Sequence, residues 1–528
     1  MKKLPPSIFN DIIGPVMRGP SSSHVAGASR IADLVRQSLD GDVAKVVVDF
    51  DVNGSLAESH DGHGTDMGFA GGILGIDMTD PLSLYSEKIA RERGVEIEFR
   101  VLDYGASHPN NYRVIARDSR GRSRSWEGVS VGGGMIEMRK YDGFDVSIAG
   151  DFYELLFTAD TKRQSADSVR RQILELFPNA DSVRITESGQ SGQKMLIELK
   201  YSQAPNLSPK DILSRLECVV DVAYLEPILP TRSSASVEVP FKTAAELLEY
   251  ADGRDLKPWE YAVIYESRRG GVSNDEVFQK MRGLVSIMEK SVDEGLRGTA
   301  YEDRILGAQA RKISQGADEG RLVPGDVLNS VVQCITSIME VKSSMGVIVA
   351  APTAGSCGCL PGTLVGLGRS LGMSKEEITK GMLMAGLIGI FIAESATFAA
   401  EVGGCQVECG SGSSMAAAGV VQMMGGDLAE SLDAASMALQ NMTGLACDPV
   451  ANRVEVPCLG KNVMGGSNAI VCANMALAGY DKVIPLDQTI EAIYDIGISL
   501  PLELRCTLGG LGKTKTSAAI RERLKARR

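Results

Sequence analysis

The sequence predicts a multidomain protein with an α+β N-terminal domain, a ferredoxin-like βαββαβ module and an all-α C-terminal domain. Its 528 residues exceed the usual size of one domain. In the first part of the chain, segments rich in Val and Ile alternate apolar and polar residues, which is typical of strands. Beyond residue 243, apolar residues recur at intervals of three and four, which is typical of helices.

The N-terminal domain is predicted to cover residues 1–150, where short β-rich segments alternate with glycine-rich loops. The predicted strands are residues 44–52, 95–104, 111–119 and 129–141.

The second domain is predicted at residues 151–235. YELLFTAD predicts a strand, ADSVRRQILELF a helix, DSVRITESG and KMLIELKYS two strands, SPKDILSRLE a helix and VVDVAYLEPI a last strand. This order is that of a split βαβ fold, and the module resembles an ACT domain. Residues 229–243 contain prolines and serines without a helical period, which predicts a linker.

The third domain is predicted at residues 244–528 and consists of helices rich in Ala, Met, Leu and Gly. Its longest apolar run, GMLMAGLIGIFIA at residues 381–393, is shorter than the roughly 18–20 residues that span a bilayer. We therefore expect a buried core helix and no membrane partner. The N-terminus lacks the apolar stretch of a signal peptide, so we expect a cytoplasmic protein.

Charge and cysteine content narrow the function classes. A net charge of −12 without a large Lys/Arg cluster argues against a nucleic-acid partner. Ten cysteines in a reducing compartment are expected as free thiols or metal ligands. Three of them lie in Gly- or Pro-bearing loops, at GGCQ, LACDPV and VPCLGKN, which suits an iron–sulfur cluster. Buried packing, a zinc site and a Cys–His nucleophile remain open at this point.

Two polar loops near the N-terminus predict an anion site and a general base. RGPSSSHVAGASRIADLV places three serines before a helix, so Ser21, Ser22 or Ser23 is expected to cap it and leave N–H groups for an anion. A well-capped helix without further function is the alternative. GSLAESHDGHGTDMGFAGG adds two histidines in a glycine-bearing loop, which favours a site.

These segments resemble the iron–sulfur-dependent L-serine dehydratases, with the β and α portions fused in one chain. The resemblance covers nearly all of the chain. In the first half it is carried by GPSSSHVAGASRI, GSLAESHDGHGTD, HPN and GVSVGGGMIEM. In the second half it is carried by MGVIVAAPTAGSCG, GGCQVECGSGSSMAAAG, LACDPVANRVEVPC and MALAGYDKVIPLDQTIEAIYDIG.

The resemblance implies a [4Fe–4S] cluster, without pyridoxal phosphate, on Cys405, Cys447 and Cys458, which are 42 and 11 residues apart. Three protein ligands leave one iron open as a Lewis acid. The remaining cysteines of the region, Cys357, Cys359 and Cys409, are then structural. A homodimer is also implied.

The implied reaction is the conversion of L-serine to pyruvate and ammonia. The carboxylate would bind at residues 21–24 and the β-hydroxyl at the open iron, while His63 removes the α-proton. His24 is the alternative base or a substrate anchor. The further substrate-binding residues implied are Ser21, Ser22, Ser23, Thr65, Asp66 and Thr353. The alternatives are L-threonine, L-cysteine or a hydroxy acid as substrate, or a non-enzymatic iron–sulfur amino-acid sensor.

Overall fold

The computed structural model describes residues 4–187, 193–206, 212 and 215–526. Within them, twelve strands form three sheets, and a large helical region follows. A mixed α/β N-terminal half and a helical C-terminal half were predicted, and both are confirmed. The strands are β1 (Val16–Arg18), β2 (Val43–Asp51), β3 (Glu96–Leu102), β4 (Asn111–Asp118), β5 (Ser123–Gly132), β6 (Met135–Tyr141), β7 (Phe144–Ile148), β8 (Tyr153–Asp160), β9 (Ser182–Glu187), β10 (Lys194–Tyr201), β11 (Val219–Leu225) and β12 (Val347–Val349).

The first large sheet has six strands in the order β3-β2-β4-β5-β6-β7. Only the β2–β3 pair is parallel. Burial alternates along β4, so one face packs into a core shared with the helix Gly27–Gln37. The helix Thr65–Leu74 packs tightly on that helix, since a Cβ atom on Gly72 would lie 2.1 Å from the Ser29 carbonyl oxygen. The remaining helices of this part are Leu56–Ser59 and Ser86–Glu92.

The predicted strand at residues 129–141 is wrong in one respect, because the structure divides it between β5 and β6. Gly132, Gly133 and Gly134 all have positive φ angles, of 105°, 60° and 85°. Three such residues in succession reverse the chain direction. Residues with a Cβ atom rarely adopt positive φ angles. The β-branched residues on both sides explain why the pattern resembles one continuous strand.

The second sheet has four antiparallel strands in the order β11-β8-β10-β9. The helix Ala166–Leu176 follows its first strand and buries Val169 and Ile173 against it. The strand succession matches the prediction for residues 151–235. The predicted second helix, SPKDILSRLE, lies mostly outside the described residues.

The helical region confirms the predicted periodicity. The run 381–393 lies in the helix Lys375–Ser395, whose residues are largely buried among neighbouring helices, as expected of a core helix. The helices are Ala244–Ala251, Pro258–Gly270, Asn274–Arg297, Ala310–Asp318, Asp326–Ser343, Cys359–Leu371, Lys375–Ser395, Ala400–Gly403, Cys409–Met423, Leu428–Asn441, Cys458–Leu477, Leu486–Ser499 and Lys515–Lys525.

The N-terminal segment enters the helical region. Ile8 and Ile12 belong to the same buried core as the helices. Gly386 and Gly389 admit them, because a Cβ atom at either glycine would lie 2.9 Å or 2.1 Å from an isoleucine methyl. Strand β1 then pairs with β12, a short strand that the helical pattern does not predict. The two halves of the chain are therefore interleaved. The pairing of β1 with β12 places residues 21–24, the serine loop, against the helical region.

Candidate active site

The serine loop forms a buried turn of π-helix, Ser22–Ala26, which continues into the helix Gly27–Gln37. The predicted hydroxyl cap is wrong, because Ser21 precedes this turn without a side-chain bond to its backbone N–H groups. The Ser21 hydroxyl lies 2.8 Å from Nδ1 of His24 instead. Ser22 accepts a hydrogen bond of 3.1 Å from the Ala354 N–H of the helical region. The Ser21 hydroxyl thus bonds within the serine loop, and the Ser22 hydroxyl bonds to the helical region.

His24 is completely buried, and both its ring nitrogens have partners. Nε2 lies 2.7 Å from the hydroxyl of Ser59, which donates its own proton to the Ser55 carbonyl at 2.6 Å. Nε2 therefore carries the ring proton, and Nδ1 accepts from Ser21. Burial, followed by the neighbouring His63 and His60, holds the pKa of His24 well below its usual range. His24 is a neutral, fixed group.

His63 has the opposite character. It is also fully buried, and neither ring nitrogen forms a hydrogen bond of good geometry with the described residues, although the Asn452 side chain lies near and partly offsets the lowering of its pKa. Its ring packs edge-on against that of His24, with 4.6 Å between the centroids. Burial, with Arg453 and Lys342 nearby, lowers the pKa of His63 to about 3. A neutral imidazole with free nitrogens suits a general base, since it has a proton-accepting position available.

The other two predicted residues of the GHGTD segment, Thr65 and Asp66, have different surroundings. Thr65 is fully buried, and its hydroxyl forms no hydrogen bond of good geometry within the described part of the chain, although the Tyr112 side chain lies near it. The Asp66 carboxylate is occupied by His60, whose Nδ1 lies 2.7 Å from it. Burial lowers the pKa of His60, but Asp66 outweighs that effect and the net shift is upward. Thr65 therefore remains a candidate for substrate binding together with His63, whereas the Asp66 carboxylate binds His60.

Thr353 and Glu408 face each other in the helical region. The Thr353 hydroxyl donates to the Glu408 carboxylate at 2.7 Å. Glu408, Cys405 and Cys447 place their ligand atoms within 4.8 Å of one another. Since Ala354 follows Thr353 and donates to Ser22, this loop connects the serine loop to the cysteines. Thr353 is thus connected through Glu408 to the cysteine site, which contains Cys405 and Cys447.

Of the three predicted ligands, Cys405 and Cys447 lie within 4.8 Å of each other, whereas Cys458 lies outside that group. Contact with Cys447 and burial raise the pKa of the Cys405 thiol, and Cys458 is close enough to Cys405 for its own pKa to be raised by it in addition to burial. Cys447 lies in the loop 442–457, which follows the helix Leu428–Asn441, and Cys458 begins the helix directly after this loop. The positions of both cysteines therefore depend on the loop. All ten cysteines are free and buried.

The cysteines assigned to packing have other contacts. The Cys357 thiol lies 4.0 Å from the Met339 sulfur, and the Cys359 thiol lies 3.8 Å from the Cys409 carbonyl oxygen. The amide of Asn462 lies 3.6 Å from the Cys409 sulfur.

Several residues at this site were missed by the sequence analysis. Lys461 lies 3.9 Å from the Cys405 sulfur and 2.9 Å from Asp448. Cys506 lies against Cys447, and its N–H donates to the Cys447 carbonyl at 2.8 Å. Glu401 lies 3.9 Å from His24. The available signal was proximity in sequence to the predicted ligands for Glu401 and Lys461, whereas nothing local pointed to Cys506.

The chemistry of this donor set fits an iron–sulfur cluster. Cys405, Cys447 and Cys458 offer soft sulfur ligands in a buried region. Burial alone keeps such thiols protonated, and a bound metal reverses this because it coordinates the thiolate. Lys461 supplies a cation next to Cys405, which offsets the negative charge of thiolates.

The sequence matches two family models. The model described as serine dehydratase beta chain matches residues 9–92, and the model described as serine dehydratase alpha chain matches residues 185–511. The second match alone covers more than half of the chain.

Curated relatives agree with both matches. The chain is 37% identical to the probable L-serine dehydratase alpha chain of Bacillus subtilis over 54% of its own length and 95% of that protein. It is 34% identical to the probable beta chain of the same organism, over 42% and 97%. The L-serine dehydratase of Streptomyces coelicolor is 26% identical over 93% and 95%. The chain therefore belongs to the serine dehydratase family of lyases and carries in one polypeptide the regions that match both the alpha and the beta chain.

Proposed function

We propose that the protein is an L-serine ammonia-lyase that releases pyruvate and ammonia and uses a [4Fe–4S] cluster held by Cys405, Cys447 and Cys458. The observation that carries the proposal is the pair of buried, unpartnered nitrogens of His63 beside the serine loop. An unpartnered buried polar group is costly, so its presence supports a bound polar substrate. The relatives named L-serine dehydratase support L-serine as the substrate.

The residues of this chain divide the work. The hydroxyl groups at residues 21–23 and Thr65 hold the substrate, with Thr353 at the boundary to the cysteines. His63 accepts the α-proton, because it is neutral and its nitrogens are free. His24 positions Ser21 and Ser59 and does not hold the substrate directly, because both its nitrogens are already bonded. When bound, the cluster supplies an open iron that acts as a Lewis acid on the β-hydroxyl.

The test begins with protein purified and reconstituted without oxygen. We expect iron and sulfide close to four of each per chain for a cubane, and pyruvate from L-serine. Replacing Cys405, Cys447 or Cys458 by Ser should lower the iron content, and Cys357→Ser serves as a buried control that should retain it. Absence of iron and of pyruvate in the unmodified protein would refute the proposal.

The substrate is tested by comparing turnover of L-serine, L-threonine, L-cysteine and the hydroxy acid L-glycerate. We expect L-serine to be preferred. Faster elimination from another compound would keep the cluster chemistry and change the substrate.

Three further properties are part of the proposal. Residues 151–235 form an ACT-like module, a reading supported by the strand order of the second sheet. The protein is cytoplasmic, and it is a homodimer. Light scattering after gel filtration measures the oligomeric state, and titration of the module with amino acids measures effector binding.

A further inference from the structure

L-Serine has three functional groups, and the proposed function provides partners for two of them. The serine loop takes the carboxylate, and the cysteine site takes the β-hydroxyl. The α-ammonium group has no partner in that account. A cation that enters a buried site needs a negative or strongly polar partner, because loss of its hydration is otherwise uncompensated.

Glu401 is a buried carboxylate without a cation. It is 5% exposed and lies in the short helix Ala400–Gly403, four residues before Cys405. Its Oε2 atom has no hydrogen-bond partner among the described residues. Within the same residues, no Lys or Arg side chain forms an ion pair with it, and His24 is the only group within 4.0 Å that could be a cation.

His24 does not neutralise Glu401. Its Nδ1 atom lies 3.9 Å from Glu401 Oε1, and that nitrogen accepts the proton of Ser21, so it has none to donate. The proton of the ring lies on Nε2 and is directed at Ser59. When ionised, the carboxylate therefore faces an acceptor atom, and a positively charged group bound beside them would relieve this unfavourable contact.

We propose that Glu401 binds the α-ammonium group of the substrate. This inference rests on the proposed function and deepens it. Burial raises the pKa of Glu401, and the neighbouring side chains of Asn110 and Ser23 partly offset this effect. Ser23 belongs to the loop assigned to the carboxylate. Because an amino acid carries its ammonium and carboxylate groups on one carbon, their partners must lie close together, as Glu401 and Ser23 do.

Glu408 is the other carboxylate near the site, and its surroundings differ. Its Oε1 atom accepts the Thr353 hydroxyl, and both Lys342 and Lys461 act on it as cations. Glu408 also lies within ligand distance of Cys405 and Cys447. Glu408 therefore has partners on the cysteine side, whereas Glu401 has an unpartnered oxygen on the side of the serine loop and His24.

The role predicts selection between amino acids and hydroxy acids. L-Alanine and L-lactate both lack the β-hydroxyl leaving group, and they differ in carrying an ammonium or a hydroxyl group on the α-carbon. A charge-assisted hydrogen bond in a buried site discriminates between them by about tenfold or more. Turnover of L-serine should exceed that of L-glycerate, which has the same α-configuration, for the same reason.

The experiment measures binding of L-alanine and L-lactate by calorimetry to the reconstituted holoenzyme and to its Glu401→Gln variant, which preserves the shape of the side chain. We expect L-alanine affinity to fall about tenfold or more in the variant, with L-lactate affinity changed less than about twofold. Iron content and the far-ultraviolet circular dichroism spectrum establish that the variant is folded and loaded.

Two results would overturn the inference. One is an unchanged affinity for L-alanine in the variant. The other is an equal loss for both ligands, which would assign Glu401 to the structure of the site or to the positioning of His24. Pyruvate release from L-serine by the unmodified holoenzyme is measured in the same preparation, so failure of the proposed function is recognised separately.

Discussion

Replacing Gly68 by Ala should impair catalysis through a single methyl group. Gly68 lies in the helix Thr65–Leu74, and a Cβ atom there would lie 2.4 Å from the carbonyl oxygen of Val25 and 2.9 Å from its Cα atom. Both are backbone atoms of the turn Ser22–Ala26, which also contains Ser23 and His24, so neither can rotate away. Ordinary contact begins at 3.4 Å, and the helix and the turn must therefore separate by about 1 Å.

The cost follows from two opposing effects. Overpacking of this kind costs about 1–3 kcal/mol, whereas alanine gains up to about 1 kcal/mol over glycine in a helix. We expect a net loss of about 1–2 kcal/mol in unfolding free energy. Because a displacement of 1 Å at a catalytic site costs about 100-fold in rate, kcat/KM for L-serine should fall by more than the stability change suggests.

Gly71→Ala in the same helix is the matched control. Its Cβ atom would meet the Ser86 hydroxyl at 3.2 Å, a side-chain atom that can shift. Urea unfolding and steady-state kinetics are measured for both variants. Equal midpoints and equal kcat/KM values would refute the reasoning, because they would mean that the turn does not depend on close contact at Gly68.

Three other outcomes are expected. His63→Ala should lower turnover by about 10²- to 10⁴-fold with the cluster absorbance unchanged, and an unaltered rate would remove His63 as the base. Lys200→Met should cost about 3–5 kcal/mol in urea unfolding, because it leaves Glu154, 2.7 Å away, buried without its partner. The exposed Lys45→Met is its control and should be nearly neutral. Burial raises the pKa of Glu266 from 4.5 to about 7, so the folded protein retains a proton that the unfolded chain loses between these values. Its contribution to stability is present below pH 4.5 and is lost as the pH rises to 7, and Glu266→Gln should flatten unfolding free energy over this range.

The helical half could be predicted from periodicity because its helices bury broad apolar faces. Lys375–Ser395 is the clearest example, since nearly every residue from 378 to 392 is buried. Strand β12 could not be predicted, because its three residues form a strand only through pairing with β1, far away in the sequence. The reversal at residues 132–134 was missed because β-branched residues surround the glycines, although the glycines themselves were a signal.

The site divides in the same way. The cysteine loops and the two polar loops could be found from residue types, and the structure brings Cys405 and Cys447 together. The partners of the serine hydroxyls could not be predicted. The Ser21 hydroxyl hydrogen-bonds to His24, rather than to the backbone, only because the fold brings them together. Cys506 reaches Cys447 through backbone pairing after a long separation, and its local sequence carries no trace of that contact.

The pairing of β1 with β12 has a consequence for biosynthesis. Val16 pairs with Val349, which the ribosome adds 333 residues later. At translation rates of about 5–20 residues per second this interval lasts roughly 17–67 s. The nascent N-terminal region must spend that time with Ile8, Ile12 and Met17 uncovered, since their core is not yet synthesised. Chaperone dependence during translation should therefore fall on this first segment rather than on the helices that complete it.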